Sequence, residues 1–443
     1  MRRFVLALPL LLLIATACSR ETPPPRTMVP PPEPSPPHSQ ESYGDVHDQV
    51  LGERVDAALL WLAHHQAPAG YWDADGFADH SVRAARMGDE LKITGKIFCV
   101  ENLGTEDVGE SEVDVGLTGL ALLAFAEAGQ SHQKGAHKDC VRKAMDWLIE
   151  LQDGEGALGP RTNDAFIYGH AYATAALCEV YALTQDKEVR APAQKAVDWL
   201  VKAQNPGLGW RYGMQPGDND SSVTADAILA LHAAERAGLK FPLEEVYSGA
   251  NKWFDLVISK DYDGDLMAGY RGPGMRNARL TSTEQYDRNG CINACAIFTR
   301  IATEEALPSD RREIAPLSKP MTKELPQWTN PNDPAHHESS NDMYYWYMGS
   351  LALALIGGDA WDKWEQALSE EVLIKHQRGF HILDIRRCGT RVTKLGDADD
   401  AGCWRLDEHG SFDPIGAWGG VGGRIYSTAL GALTLQCMLE PSQ

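Results

Sequence analysis

The stretch Trp199-Leu-Val-Lys-Ala-Gln204-Asn-Pro-Gly-Leu-Gly209-Trp210 decides the fold, because the chain writes the same phrase three times. It recurs as Trp61 to Gln66 before Gly70-Tyr71-Trp72, and as Trp147 to Gln152 before Gly154 and Gly156. Each copy is an amphipathic segment ending in Gln, a glycine-bearing loop, then an apolar segment rich in small residues. A supersecondary unit repeated at a fixed period buries its apolar face only by stacking on its neighbours.

Outward from the phrase, two kinds of helical segment alternate from residue 46 onward. Segments 46–66, 136–152, 190–204, 243–259, 310–326 and 361–377 are amphipathic and charged on one side. Segments 115–129, 167–184, 221–238, 286–303, 342–357 and 423–439 are rich in Ala, Gly, Leu and Thr and carry little charge. The first kind needs one buried face and the second must be buried on most sides. Six of each, alternating, predict an all-α (α/α)6 toroid, with six inner and six outer helices in one domain over 46–443. Insertions at 73–113 and 379–421 interrupt the period.

The Gln-(x)-Gly-x-Trp phrase, the Val115-Gly-Leu-Thr-Gly-Leu-Ala-Leu-Leu-Ala-Phe segment and the Gly422-Gly-Arg-Ile-Tyr-Ser-Thr-Ala-Leu ending resemble the terpenoid cyclase and protein prenyltransferase toroid superfamily. More narrowly, they resemble exported squalene-cyclase-like repeat proteins of environmental bacteria, over about residues 50 to 440. It implies the toroid and a central cavity. It does not imply one activity, because such rings host cyclases, prenyltransferases, thioester domains and plain binding proteins.

The cyclase resemblance directs attention to acids, since class II cyclases protonate an alkene with a carboxylic acid kept neutral by its surroundings. Asp397-Ala-Asp399-Asp400 spells the motif but sits in a polar insertion, where a solvated acidic loop is the reading. Asp218-Asn219-Asp220-Ser221-Ser222 is degenerate but opens an inner helix, so Asp220, with Asp218 beside it, is the expected catalytic pair. Asp and Ser at such a position are also ordinary helix N-caps. Asp114, Asp164, Asp220, Asp287 and Asp342 all precede or begin inner segments, which predicts an acidic crown at one rim that disfavours anionic ligands such as prenyl diphosphates.

The prenyltransferase resemblance implies a zinc site. Asp287, Cys291 and Cys295 share one helix face, with His170 from another inner segment, but the zinc phrase of that family is missing and no cofactor is called for. Tyr345 and Trp346 within Tyr344-Tyr-Trp-Tyr347, together with His170, Trp210 and Tyr426, are the expected ligand contacts; four consecutive aromatics point around the whole helix, so at least half of them pack.

The formal net charge of -21 excludes electrostatic binding of nucleic acid. Arg2 and Arg3, the apolar run Phe4 to Ile14, and small residues before Cys18 read as a lipoprotein signal peptide over 1–17 with Cys18 lipid-modified. Residues 18–45, crowded with proline, read as an extended tether. The implied location is the cell envelope, anchored by lipid and palmitate, at an outer membrane. In that oxidising compartment Cys388 and Cys403 are the expected disulfide, and Cys178 and Cys437 read as buried thiols. The partners implied are that membrane and an apolar small molecule, a polymer or a protein, bound without catalysis; the alternative is an isoprenoid cyclase or isomerase with Asp220 as proton donor.

Overall fold

The computed structural model describes residues 46–80, 109–261, 263–274, 290–303, 311–323, 325–329, 341–378, 410–414, 416 and 418–439. Cys18, the Pro-rich stretch, Asp287, Cys388, Cys403 and Asp397 to Asp400 lie outside them. So do most of the two insertions. Among the described residues no helix is long and apolar enough to cross a membrane.

Among the described residues, twelve ring helices follow in the order outer, inner, outer, inner. The outer ones are α1 (Val46–His64), α3 (Lys138–Glu150), α5 (Lys187–Ala203), α7 (Leu243–Val257), α9 (Arg311–Lys323) and α11 (Asp359–Gln366). A π-helical stretch Ala367–Leu373 and a last turn Ile374–His376 prolong α11. The inner ones are α2 (Asp114–Glu127), α4 (Phe166–Thr184), α6 (Ser221–Arg236), α8 (Cys291–Ala302), α10 (Met343–Ile356) and α12 (Gly419–Gln436). Every segment expected from the sequence is present. One addition is a short antiparallel hairpin after α7, β1 (Ile258–Lys260) with β2 (Leu266–Ala268), in which Ile258 faces Ala268.

The ring closes. Helix α2 packs on α4, α4 on α6, α6 on α8, α8 on α10, α10 on α12, and α12 returns to α2. The outer helices sit against them, α1 covering the joint between α12 and α2. The fold is therefore an (α/α)6 toroid. Inner helices approach closely because small residues face each other: a Cβ on Gly119 would lie 2.5 Å from the Ala173 nitrogen, so α2 and α4 could not keep their spacing with alanine there.

The repeated phrase is the joint between units. Gln66 Nε2 donates to its own loop carbonyl at Gly70 (2.8 Å) and to the Cys140 carbonyl on the next outer helix (2.9 Å). Gln152 does the same to Gly156 and to Pro192 on α5, and Gln204 to Leu208 and to Val246 on α7. Gln377, after α11, donates to Gly410 and to Arg54 on α1 (2.8 Å each), so the last unit is tied to the first. The loop glycines complete the joint: Gly70, Gly156 and Gly410 have φ of +107°, +97° and +94°. A Cβ there would strike the carbonyls of Lys143, Lys195 and Ala57 at 2.3, 2.3 and 2.2 Å.

The loop then dives inward. The indoles of Trp72 and Trp210 donate to the Leu62 and Leu200 carbonyls, at 2.7 and 2.8 Å, in the last turns of α1 and α5. Their backbone N–H groups donate to Thr118 and Thr224 hydroxyls on inner helices. Both rings are fully buried between the layers, worth on the order of 5 kcal/mol each at about 25 cal/mol per Å².

Replacing Gln204, which is almost wholly buried, by Met removes two donors and leaves two carbonyls without them. Urea unfolding of Gln204→Met is expected to show a loss of about 1–3 kcal/mol at an unchanged m-value.

Candidate functional site

A cavity of ≈ 330 Å³ lies where the inner helices converge. Every inner helix contributes residues from near its N-terminal end: Val115 and Gly116 from α2, Phe166 and Tyr168 from α4, Ser222 and Asp226 from α6, Cys291 from α8, Tyr344 from α10, and Val421 and Tyr426 from α12. The six helices therefore run parallel and aim their positive dipole ends at one space. Leu117, Leu120, Leu158 and Ile292 make its lining predominantly apolar, and Tyr168, Tyr172, Tyr212, Tyr270, Tyr344 and Tyr426 line it as well.

Among the described residues that line this space, Asp226 is the most deeply buried carboxyl. It lies in the second turn of α6 and is 1 % exposed. Its Oδ1 accepts from the Tyr172 hydroxyl (3.2 Å) and the Tyr344 hydroxyl (3.0 Å), while Oδ2 has no partner. Burial raises its pKa to about 7 against the pull of those two hydroxyls, with nearby Asp220 adding to the rise. Near neutral pH it is thus poised between an acid with a proton to give and an unsolvated anion.

Asp220 has a different task. Its Oδ1 caps α6, accepting from the backbone N–H of Ser222 (2.9 Å) and Val223 (3.1 Å) and from the Ser222 hydroxyl (2.8 Å). It does not line the cavity. Burial nevertheless raises its pKa, opposed by the Tyr270 hydroxyl and the capping donors. Ser222 spends its own hydrogen on Asp220, so the Tyr168 hydroxyl donates to Ser222 (3.0 Å), and the Tyr212 and Tyr270 hydroxyls pair at 2.9 Å. Asp218, two residues earlier, is exposed and forms ion pairs with Arg211 (2.8 Å) and Arg271 (3.2 Å). The expected acid pair is therefore a helix cap and an exposed ion pair, and the acid that meets the cavity lies one and a half turns further along α6.

Several expected contacts stand in the wall. His170 accepts the Leu158 N–H at Nδ1 (3.1 Å) and its Nε2 meets the Ala196 carbonyl (3.2 Å), which makes it the counterpart of Thr118 and Thr224. Burial lowers its pKa to about 3, so it stays neutral and latched. Trp210 is the buried loop anchor described above. Tyr345 and Trp346 point outward and pack on Trp364 (5.2 Å) and Trp328 (5.9 Å); the member of that aromatic run which faces the cavity is Tyr344. Tyr426 is at the cavity.

Of the expected zinc donors among the described residues, only Cys291 and Cys295 come together. His170 is committed to the wall, Asp287 is outside the described residues, and no metal-holding group of three or more ligands occurs among the described residues. Cys291 lines the cavity beside Cys295, whose sulfur is 3.6 Å from the Tyr344 hydroxyl. The hydrogen bond with the neighbouring Cys295 thiol, and then burial, push the Cys291 pKa far up, which leaves an unreactive thiol.

Of the acidic crown, Asp114, Asp164, Asp220 and Asp342 stand at the N-terminal ends of α2, α4, α6 and α10. Only Asp164 and Asp342 reach the cavity, joined by Glu112. Asp114 instead accepts the Ala74 N–H at 2.9 Å, and burial, with Asp73 and Asp75 nearby, raises its pKa to about 7.

Residues 107–246, which hold α2 to α6 and Asp226, match the family model of the squalene-hopene cyclase C-terminal domain. The fold is squalene-cyclase-like. Similar solved structures are an α-amylase from Clostridium perfringens (12% identity, 87% of this chain and 97% of that one, TM-score 0.48) and an α-1,6-mannanase variant of Salegentibacter in complex with α-1,6-mannotriose (10%, 88% and 99%, 0.49). A third is an unsaturated glucuronyl hydrolase specific for heparin (13%, 88% and 97%, 0.49). No curated protein sequence matches. Identities this low carry no activity over to this chain.

Asp226 also sets a pH dependence of stability. Folded, it keeps its proton to about pH 7; unfolded, only to about the ordinary 3.8. Unfolding therefore releases a proton between those values, and stability falls as pH rises through that window. Asp226→Asn lacks this slope, so urea unfolding is expected to show the variant gaining on wild type from pH 5 to pH 8, by on the order of a few kcal/mol. A difference that does not change with pH would mean that this carboxyl does not titrate there.

Proposed function

We propose that this protein is an envelope-anchored binding protein whose toroid takes up an apolar small molecule, with Asp226 as the single deep polar anchor. The observation that carries this reading is the partnerless Oδ2 of Asp226 at the bottom of a tyrosine-walled, apolar cavity. A buried acceptor without a donor costs about 1–3 kcal/mol, and a ligand that supplies one recovers it. The cavity is at the lower end of the volumes that hold small organic ligands, roughly 300–1,000 Å³.

A second reading is acid catalysis on an isoprenoid, as in the cyclases whose domain matches residues 107–246. The raised pKa of Asp226 favours it, because a neutral carboxyl in an aromatic cavity can hand its proton to an alkene. On this reading Asp226, and not Asp220, is the donor. The tyrosine rings would stabilise the cation until another carbon gives up a proton, so the reaction is an isomerisation with no change of mass.

The neutral apolar dye N-phenyl-1-naphthylamine is expected to bind the folded chain at one site, and Leu120→Trp, which fills the lining, to weaken it at least tenfold with little change in melting temperature. Dye fluorescence that never saturates at one equivalent overturns the binding reading. The catalytic reading requires an isomer of equal mass from an isoprenoid substrate, lost in Asp226→Asn.

The envelope location rests on residues 1–45. Cys18→Ser is expected to abolish incorporation of labelled palmitate and to move the protein from the membrane to the soluble fraction; unchanged labelling would overturn the anchor.

A further inference from the structure

We infer that the cavity selects a cationic ligand, an apolar molecule carrying one organic ammonium group. This deepens the binding reading and rests on it.

Four acidic residues line the cavity, the exposed Glu112 and Asp164 and the buried Asp342 and Asp226. Among the described residues that line it there is no Lys, Arg or His. The basic side chains nearest in the chain are turned elsewhere: Arg161 pairs with Asp153 and Glu155, and Arg211 with Asp218. A space with acids of one sign and low-dielectric walls concentrates its own field and draws in the opposite charge. The chain's net charge of -21 adds to that field at long range.

Acidity alone would select any cation, hydrated metal ions included. The walls narrow the choice. Tyr168, Tyr172, Tyr212, Tyr270, Tyr344 and Tyr426 surround the space, and the negative face of an aromatic ring attracts organic cations that shed water easily. The hydroxyls of Tyr172 and Tyr344 are both spent on Asp226 Oδ1, which leaves Oδ2 as the bare acceptor. An ammonium placed there meets a carboxylate on one side and rings on the others. Among the described lining residues an anion would meet four carboxyls and no basic side chain.

The same geometry makes the selection depend on pH. Asp226 faces Tyr172 of α4, Asp220 of its own helix, Cys291 and Cys295 of α8, and Tyr344 and Tyr347 of α10. Burial holds the tyrosines, and the Cys295 thiol with burial holds Cys291, far above their ordinary pKa values, so they remain neutral. Asp226, raised to about 7, is the group there that changes charge near neutrality, and its anion is the form a cation binds. Affinity for a permanent cation therefore rises as pH increases through 7.

Three probes of one size separate the terms by direct calorimetric titration of the full chain. Benzyltrimethylammonium is the cation, neopentylbenzene its neutral carbon isostere, and benzenesulfonate the anion. The cation is expected to bind at least tenfold tighter than the isostere, gaining a further factor of three or more from pH 6 to pH 8, and the sulfonate not to bind. Asp226→Asn is expected to bring cation and isostere within threefold of each other. Glu112→Gln with Asp164→Asn, at exposed rim positions that do not threaten the fold, is expected to lower the preference about twofold at low salt. Equal affinity for cation and isostere in the wild type overturns the inference and leaves apolar binding standing. Absence of any heat with the cation overturns the inference, and failure of the naphthylamine dye to bind as well would take the underlying reading with it.

Discussion

A glutamine amide that binds two carbonyls at once is the constraint on which the ring depends. Four of the six outer helices, α1, α3, α5 and α11, end in a Gln whose nitrogen joins the carbonyl of its own loop to a carbonyl on the next outer helix. An amide NH2 has two donors, and here one fixes the turn while the other fixes the neighbour. The step from unit to unit is then set locally, and repeating it brings α11 back to α1, where Gln377 makes the closing bond to Arg54. The positive-φ glycines let the loop lie against the neighbouring helix closely enough for this bond.

Closure decides where chemistry can occur. Parallel inner helices must bring their N-terminal ends together, and the positive ends of their dipoles favour carboxyl groups there. Two such acids, Asp220 and Asp342, are consumed as caps by backbone N–H groups, and Asp114 by the Ala74 N–H. Asp226 differs because it lies past the first turn, where helix N–H groups are already bonded to carbonyls. Only side chains from α4 and α10 can serve it, and they reach one oxygen.

The alternation of charged and small-residue helices was legible because burial on one face and burial on most faces leave different compositions. The Gln-Gly-Trp phrase was legible because its parts are close in sequence. Gln377 was not, since its loop partner Gly410 lies 33 residues away across an insertion. His170 looked like a ligand because histidine binds metals and substrates; its role as a stand-in for Thr118 and Thr224 appears only when the inner helices are superposed in register. The hairpin β1–β2 follows a helix whose pattern continued smoothly into it, and nothing in that pattern announced the change.

What the sequence by itself determined is the number, kind and order of the helices, since hydrophobic periodicity is a property of neighbours along the chain. It also determined that carboxyls stand at the inner helix starts. Only the tertiary structure decided which of them faces the cavity, because Asp220 and Asp226 share a helix and a chemistry and differ in what surrounds them. Helix N–H groups and the Ser222 hydroxyl serve one oxygen of the first, while packing of α4 and α10 around the second brings two tyrosine hydroxyls to one oxygen and strips its water. A pKa and an unmet hydrogen bond belong to an environment, and that environment is assembled from helices far apart in sequence.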